Sequence, residues 1–97
     1  MIKIACVYIL SNKNHTVLYV GVTSDLSQRI IQHQTGFFKN AFTSRYNVTE
    51  LVYFEEFERM EDAIQREKQL KAGSREKKIS LISGFNPKWE DLLKKRP

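Results

Sequence analysis

The first apolar run, IKIACVYIL, places Ile4, Cys6, Tyr8 and Leu10 on one face and Ala5, Val7 and Ile9 on the other. Both faces are apolar, the pattern of a strand covered on both sides. A polar SNKNHT follows and then VLYVGV, so the two runs are expected to pair as a hairpin with a connection of four to six residues. If Leu10 pairs with Val17, antiparallel counting sets Tyr8 opposite Tyr19 and Cys6 opposite Gly21. Two tyrosines then stand side by side on one face. Past Gly21 the period becomes helical: Thr23, Ser24 and Asp25 offer N-caps for a helix from about Leu26 to Gln34, with Gly36 just beyond its end. The stretch TGFFKNAFTSRYNVTE has no period and reads as a loop. LVYFEEF reads as a third strand, with Val52 and Phe54 facing away from Leu51 and Tyr53.

From Glu58 to Ala72 the apolar positions recur at helical spacing and stop at Gly73. Ser74 can cap a further helix that runs to about Ser83 and stops at Gly84. NPKW then offers Asn86 as a cap and Pro87 as the first turn of a last short helix, with Trp89, Leu92 and Leu93 facing inward. Residues 94–97 read as a frayed basic tail. The order β-β-α-β-α-α predicts an α+β fold: one domain over residues 1–97, with a small three-stranded antiparallel sheet flanked by helices.

Composition narrows the partners. Sixteen Lys and Arg stand against 11 Asp and Glu, a net charge of +5, which favours an anionic partner. Cys6 is the only cysteine, so neither an intrachain disulfide nor a cysteine-based zinc cluster is expected, and a reducing, cytoplasmic setting fits. No run approaches the roughly 20 apolar residues of a membrane helix. The first apolar run also lacks the small-residue cleavage site of a signal peptide. Nothing in the pattern calls for an obligate oligomer.

Three features depart from plain packing. Glu67 falls in the middle of the helical stripe formed by Met60, Ala63, Ile64, Leu70 and Lys71. A carboxylate there is costly to bury unless it meets a cation, a metal or hydrogen-bond donors; the plainer reading is an ion pair with Lys71 at the favourable i to i+4 spacing. Arg29 and His33, four residues apart, lie on the shoulder of the first helix beside its apolar face of Leu26 and Ile30. An arginine so placed can fork onto a phosphate, and a histidine can hold or pass a proton near neutral pH; either can equally be structural. Tyr8 and Tyr19 can pack as ordinary strand aromatics, yet Gly21 removes a side chain on the same face and opens room beside two hydroxyls.

These residues, in this order, resemble the GIY-YIG nuclease superfamily, and within it the small stand-alone members of the URI-domain type. Its two strand motifs correspond to CVY (Cys6, Val7, Tyr8) and YVG (Tyr19, Val20, Gly21), with Cys6 where glycine is usual. TSDLSQRIIQH matches the helix that carries the family's arginine and histidine, EDAIQREKQLK the helix of its metal-binding glutamate, and NPKWEDL a common ending. The resemblance runs from about Val7 to Leu92. It implies a metal-dependent endonuclease that hydrolyses DNA phosphodiester bonds, possible roles being repair or recombination, with Glu67 as the single protein ligand of Mg²⁺ or Mn²⁺. It further implies that Arg29 stabilises charge on the phosphate. Tyr8 is implied to act as general base assisted by His33, and Tyr19 to position water or phosphate. Asn86 is the counterpart considered for the family's asparagine, and serves equally well as a helix cap.

Within the loop, Lys39 and Arg45 can neutralise phosphates, while Phe37, Phe38, Phe42 and Tyr46 can stack on unpaired bases or anchor the loop to the core. Lys68, Lys71, Arg75, Lys77 and Lys78 form a second basic cluster close to Glu67. DNA is thus the expected partner, with specificity drawn from DNA structure or from a partner protein. The rival reading is a nucleic-acid-binding module of the same fold without cleavage.

Overall fold

The computed structural model describes residues 5–26, 28–29 and 46–93. Three strands, β1 (Ala5–Ser11), β2 (Leu18–Thr23) and β3 (Glu50–Phe57), form one antiparallel sheet in the order β2-β1-β3. Every residue of β1 is buried. This follows from its two apolar faces: the central strand can be covered on both sides only if both sides are apolar. Two helices follow, α1 (Met60–Ala72) and α2 (Arg75–Phe85), α1 against all three strands and α2 against β3.

The sheet divides the core in two. On one side Val7, Ile9, Val20, Val52 and Tyr53 meet Ala63 and Leu70 of α1 and Ile82 of α2. On the other, Tyr8, Leu10, Val48 and Leu51 pack with Tyr19, Leu26 and Phe54. Side-chain alternation along β1 sorts the two sets, as period two requires.

The hairpin forms as expected but in another register. Ser11 pairs with Leu18, Leu10 with Tyr19 and Tyr8 with Gly21, two residues away from the Leu10–Val17 alignment. Asn12 sets the turn one residue further along the chain: its Oδ1 accepts from the backbone N–H of Thr16 at 2.8 Å and of Val17 at 3.0 Å, and its own N–H donates to the Val17 carbonyl. A side chain that holds the turn in this way fixes which residues form the first strand pair. In β3 a bulge intervenes. Ile9 pairs with Tyr53 and Leu10 with Leu51, leaving Val52 unpaired. Val52 and Tyr53 therefore share the helix side while Leu51 and Phe54 share the other, which corrects the simple alternation expected there.

The helix boundaries also shift. Asp25 caps the helical turn that opens at Leu26, accepting from the Gln28 N–H at 3.1 Å, and the Arg29 N–H donates to the Asp25 carbonyl. The rest of the expected helix, to Gln34, lies outside the described residues, as do residues 35–45 of the loop and the tail 94–97. Ser74 caps α2 by accepting from the Lys77 N–H at 3.2 Å. Gly84 does not end α2; the helix continues to Phe85, and Asn86 caps it. A β-carbon on Gly84 would meet nothing, so that glycine costs some helix propensity without breaking the ladder.

No last helix forms at NPKW. Asn86 instead acts as a knot: its buried amide donates to the carbonyls of Val52 (3.2 Å) and Glu90 (2.8 Å) and its Oδ1 accepts from the Glu90 N–H (3.1 Å). The segment beyond runs along β3, where the Leu92 N–H donates to the Leu51 carbonyl and the Leu51 N–H to Asp91 Oδ1. Trp89 thus packs on the helix side and Leu92 and Leu93 on the other. One short helix could not supply both faces.

Candidate active site

Four expected site residues come from four segments. Tyr8 stands at the middle of β1, Tyr19 near the start of β2, Arg29 in the helical turn after β2 and Glu67 at the middle of α1. The Tyr8 and Tyr19 rings lie 6.3 Å apart between centroids, tilted by 41°. Tyr8 is almost wholly buried, and its hydroxyl lies in the fields of Tyr19, Arg29 and Glu67. The sheet and its two flanking helical segments therefore bring these four groups to one place.

Gly21 has a different task from the one its spacing suggests. A β-carbon there would come within 2.8 Å of Tyr8 Cε1 and still closer to Cζ and the hydroxyl. The room opened by the missing side chain is filled by the Tyr8 ring itself. This follows directly from the register, which sets Tyr8 opposite Gly21. The glycine lets a large ring lie flat over the strand; it does not leave a gap for a phosphate.

The protonation of Tyr8 follows from its burial. Loss of water raises the phenol above its ordinary value near 10; Tyr19 and Glu67 push in the same direction and Arg29 opposes them. As placed, Tyr8 is harder to ionise than an exposed tyrosine. An unassisted general base is thus not the chemistry its surroundings support.

Glu67 is half-buried, with its side chain 17% exposed, and its Oε2 lies 3.1 Å from the Nζ of Lys71, whose side chain is 54% exposed. The ion pair with Lys71 expected from the spacing is present, and the Glu67 charge is also felt at the Tyr8 hydroxyl. Among the described residues no three His, Cys, Asp or Glu side chains converge. A single carboxylate such as Glu67 suits a hard divalent ion that keeps most of its own water and suits no soft metal.

The remaining expected residues separate. Asn86 is committed to the C-terminal knot, and its amide makes three hydrogen bonds there. His33, Lys39 and Arg45 lie outside the described residues. Tyr46 and Lys68 are exposed, and Arg75 is exposed while donating from Nη2 to the His15 carbonyl at 3.1 Å. Arg75 thereby ties the start of α2 to the β1–β2 turn. One polar group escaped notice altogether: Arg66 of α1 pairs with Glu55 of β3, with Nη2 to Oε2 at 3.1 Å, and Tyr53 donates to the same carboxylate. Eleven residues and a change of element separate Arg66 from Glu55, so no local spacing could announce the pair. A groove of about 600 Å³ between α1 and α2, lined by Arg66, Leu70, Gly73, Lys77 and Leu81 among others, contains none of the four clustered residues.

The fold is a nuclease fold. The GIY-YIG catalytic domain matches residues 4–80, and the chain belongs to the GIY-YIG family. It is 39% identical over 88 residues to a UPF0213 protein of Clostridium perfringens, covering 91% of this chain and 92% of that one. A UPF0213 protein of Staphylococcus saprophyticus is 38% identical over 78 residues, covering 79% and 92%. Among solved structures, the solution NMR structure of a UPF0213 protein from Bacillus halodurans shares 34% identity with a TM-score of 0.57, covering 94% of this chain and 95% of that one.

Proposed function

We propose that the chain is a divalent-metal-dependent endonuclease that hydrolyses DNA phosphodiester bonds. The observation that carries this reading is the convergence of Tyr8, Tyr19, Arg29 and Glu67 from four separate segments. Glu67 would hold Mg²⁺ or Mn²⁺ through its one carboxylate. When bound, the ion polarises the scissile phosphate and offsets charge on the leaving oxygen. Arg29 directs its guanidinium at the phosphate oxygens, where negative charge grows as water adds. Tyr19 orients the attacking water.

Tyr8 serves as a relay rather than a free phenolate. It accepts the proton of the attacking water while passing its own to His33, so no step requires ionisation of a phenol that burial keeps neutral. The exposed Lys68, Arg75 and Tyr46, with Lys39 and Arg45 of the loop, supply phosphate contacts and a stacking surface. So small a surface reads DNA structure better than DNA sequence, or draws its specificity from a partner protein. Repair or recombination is the setting that suits such a substrate.

The experiment is a nicking and cleavage assay on duplex, single-stranded, flapped and branched DNA with Mg²⁺ or Mn²⁺, alongside circular dichroism. Cleavage that EDTA stops, and that Glu67→Ala and Arg29→Ala each lower by about 10²–10³-fold with folding intact, is the expected result. Binding without cleavage on every substrate would leave a nucleic-acid-binding module and sink the nuclease reading.

A further inference from the structure

We propose that Lys71 is the resident counter-cation of Glu67: its ammonium holds the carboxylate while no metal is bound and surrenders it when a divalent ion arrives. The proposal rests on the metal-dependent reading above and adds how that site is kept and opened. Its basis is the unequal setting of the two partners. The Glu67 side chain is 17% exposed and that of Lys71 is 54% exposed, with Nζ and Oε2 3.1 Å apart.

Glu67 cannot move far. It lies in α1 between Ala63 and Leu70, both buried against the sheet, and only 17% of its own side chain is exposed. A carboxylate so shielded needs a cation. Lys71 can leave easily. Its ammonium is strongly hydrated and sits on a flexible four-carbon stem that already projects into solvent, so release returns the charge to water with little to unpack. The order along the helix, glutamate first and lysine four residues on, is also the favourable one for the pair. A fixed acceptor and a mobile donor make a site where cations exchange without a change of fold. After exchange, the freed ammonium remains one helical turn from the metal.

Competition for Oε2 lowers the apparent metal affinity of the free protein, and removing the competitor raises it. The test measures Mn²⁺ binding by electron paramagnetic resonance in the wild type, Lys71→Gln, Lys71→Arg and Glu67→Gln, with thermal unfolding of each in EDTA and in Mg²⁺. Lys71→Gln should bind Mn²⁺ about two- to five-fold more tightly than the wild type, the range a partly exposed ion pair supports. Lys71→Arg, which keeps a cation on Glu67, should bind as the wild type does. In EDTA, Lys71→Gln should melt below the wild type, and Mg²⁺ should close the gap. Equal or weaker Mn²⁺ binding by Lys71→Gln overturns the proposal while leaving the metal reading in place. If neither the wild type nor Lys71→Gln binds Mn²⁺ better than Glu67→Gln, the metal reading itself fails and this proposal falls with it.

Discussion

Tyr8 and Gly21 form one unit, and each explains the other. A methyl group on Gly21 would meet the ring of Tyr8 below 3 Å, and that ring is hemmed in by Leu10, Leu51 and Tyr19. Gly21→Ala should therefore cost about 1–3 kcal/mol, lowering the denaturation midpoint without changing the slope. The clash involves two positions, so Tyr8→Ala combined with Gly21→Ala should be milder than the sum of the two single changes; strict additivity would show that the ring does not lie over the glycine. Ionisation gives a second check. Burial raises Tyr8 above its ordinary value, lifts Tyr53 to about 12 with help from the Glu55 carboxylate, and lifts Cys6 to about 12 with help from Glu56. All three groups release their protons more readily unfolded than folded, so the stability they add is complete below the unfolded values of 9.0 and 10.0 and is lost as pH climbs past them. Unfolding midpoints measured from pH 8 upward should fall steadily, and Tyr8→Phe should flatten that fall. The same Tyr8→Phe change should lower cleavage by about 10²–10⁴-fold at neutral pH if the hydroxyl relays a proton; undiminished cleavage would remove Tyr8 from the reaction.

At the scale of elements, what could be read from sequence was which segments are strands or helices and which side chains share a face. The two-faced apolar run of β1 and the Ser74 cap are local signals that stand where they were expected, and Asp25 is the one of three candidate caps in use, whereas the stripe of α1 holds at Ala63 and Leu70 but leaves Ile64 and Lys71 exposed. Register was not legible, because a slip of two residues keeps every side chain on its own face and leaves the pattern unchanged. Tyr8 was therefore known to share a face with Gly21 but not to sit on it. The bulge at Val52 and the passage of α2 through Gly84 were equally hidden, since each depends on what lies across the sheet or beside the helix. Asn86 shows how the same blindness touches the site. Its place before Pro87 fits a cap and a catalytic asparagine alike, and the structure adds a third part, three hydrogen bonds to Val52 and Glu90 that no local spacing announces. Asn86→Ala should then cost about 1–3 kcal/mol by leaving buried backbone groups unpaired. That corresponds to a melting point lower by about 4–8 °C for each kcal/mol in a domain of this size. Cleavage measured well below the melting point should stay near that of the wild type; a loss as deep as that of Glu67→Ala would return Asn86 to the reaction.

At the scale of the whole molecule, the proposed DNA binding and the proposed cleavage can be tested apart. The excess of five positive charges is a property of the chain, whereas the four clustered residues include one anion, Glu67, and one cation, Arg29. If basic side chains outside the cluster hold DNA through its phosphates, affinity must fall as salt rises, and each contact removed must lower the slope of log K against log salt by about 0.7–0.9. Lys68 is exposed on α1, one residue beyond Glu67, so Lys68→Ala should reduce the slope by about that amount and leave the melting point in place. Arg75 answers to two demands, because its guanidinium also donates to the His15 carbonyl in the β1–β2 turn. Arg75→Ala should lower both the slope and the melting point. Glu67→Ala supplies the contrast: it removes a negative charge that would repel DNA phosphates, so in EDTA it should bind at least as tightly as the wild type while failing to cleave when Mg²⁺ is restored. Filter binding across a salt series with all four proteins separates these effects. Weaker binding by Glu67→Ala would mean that the carboxylate, with its Lys71 partner, builds the binding surface itself, and that binding and cleavage in this fold cannot be assigned to different residues.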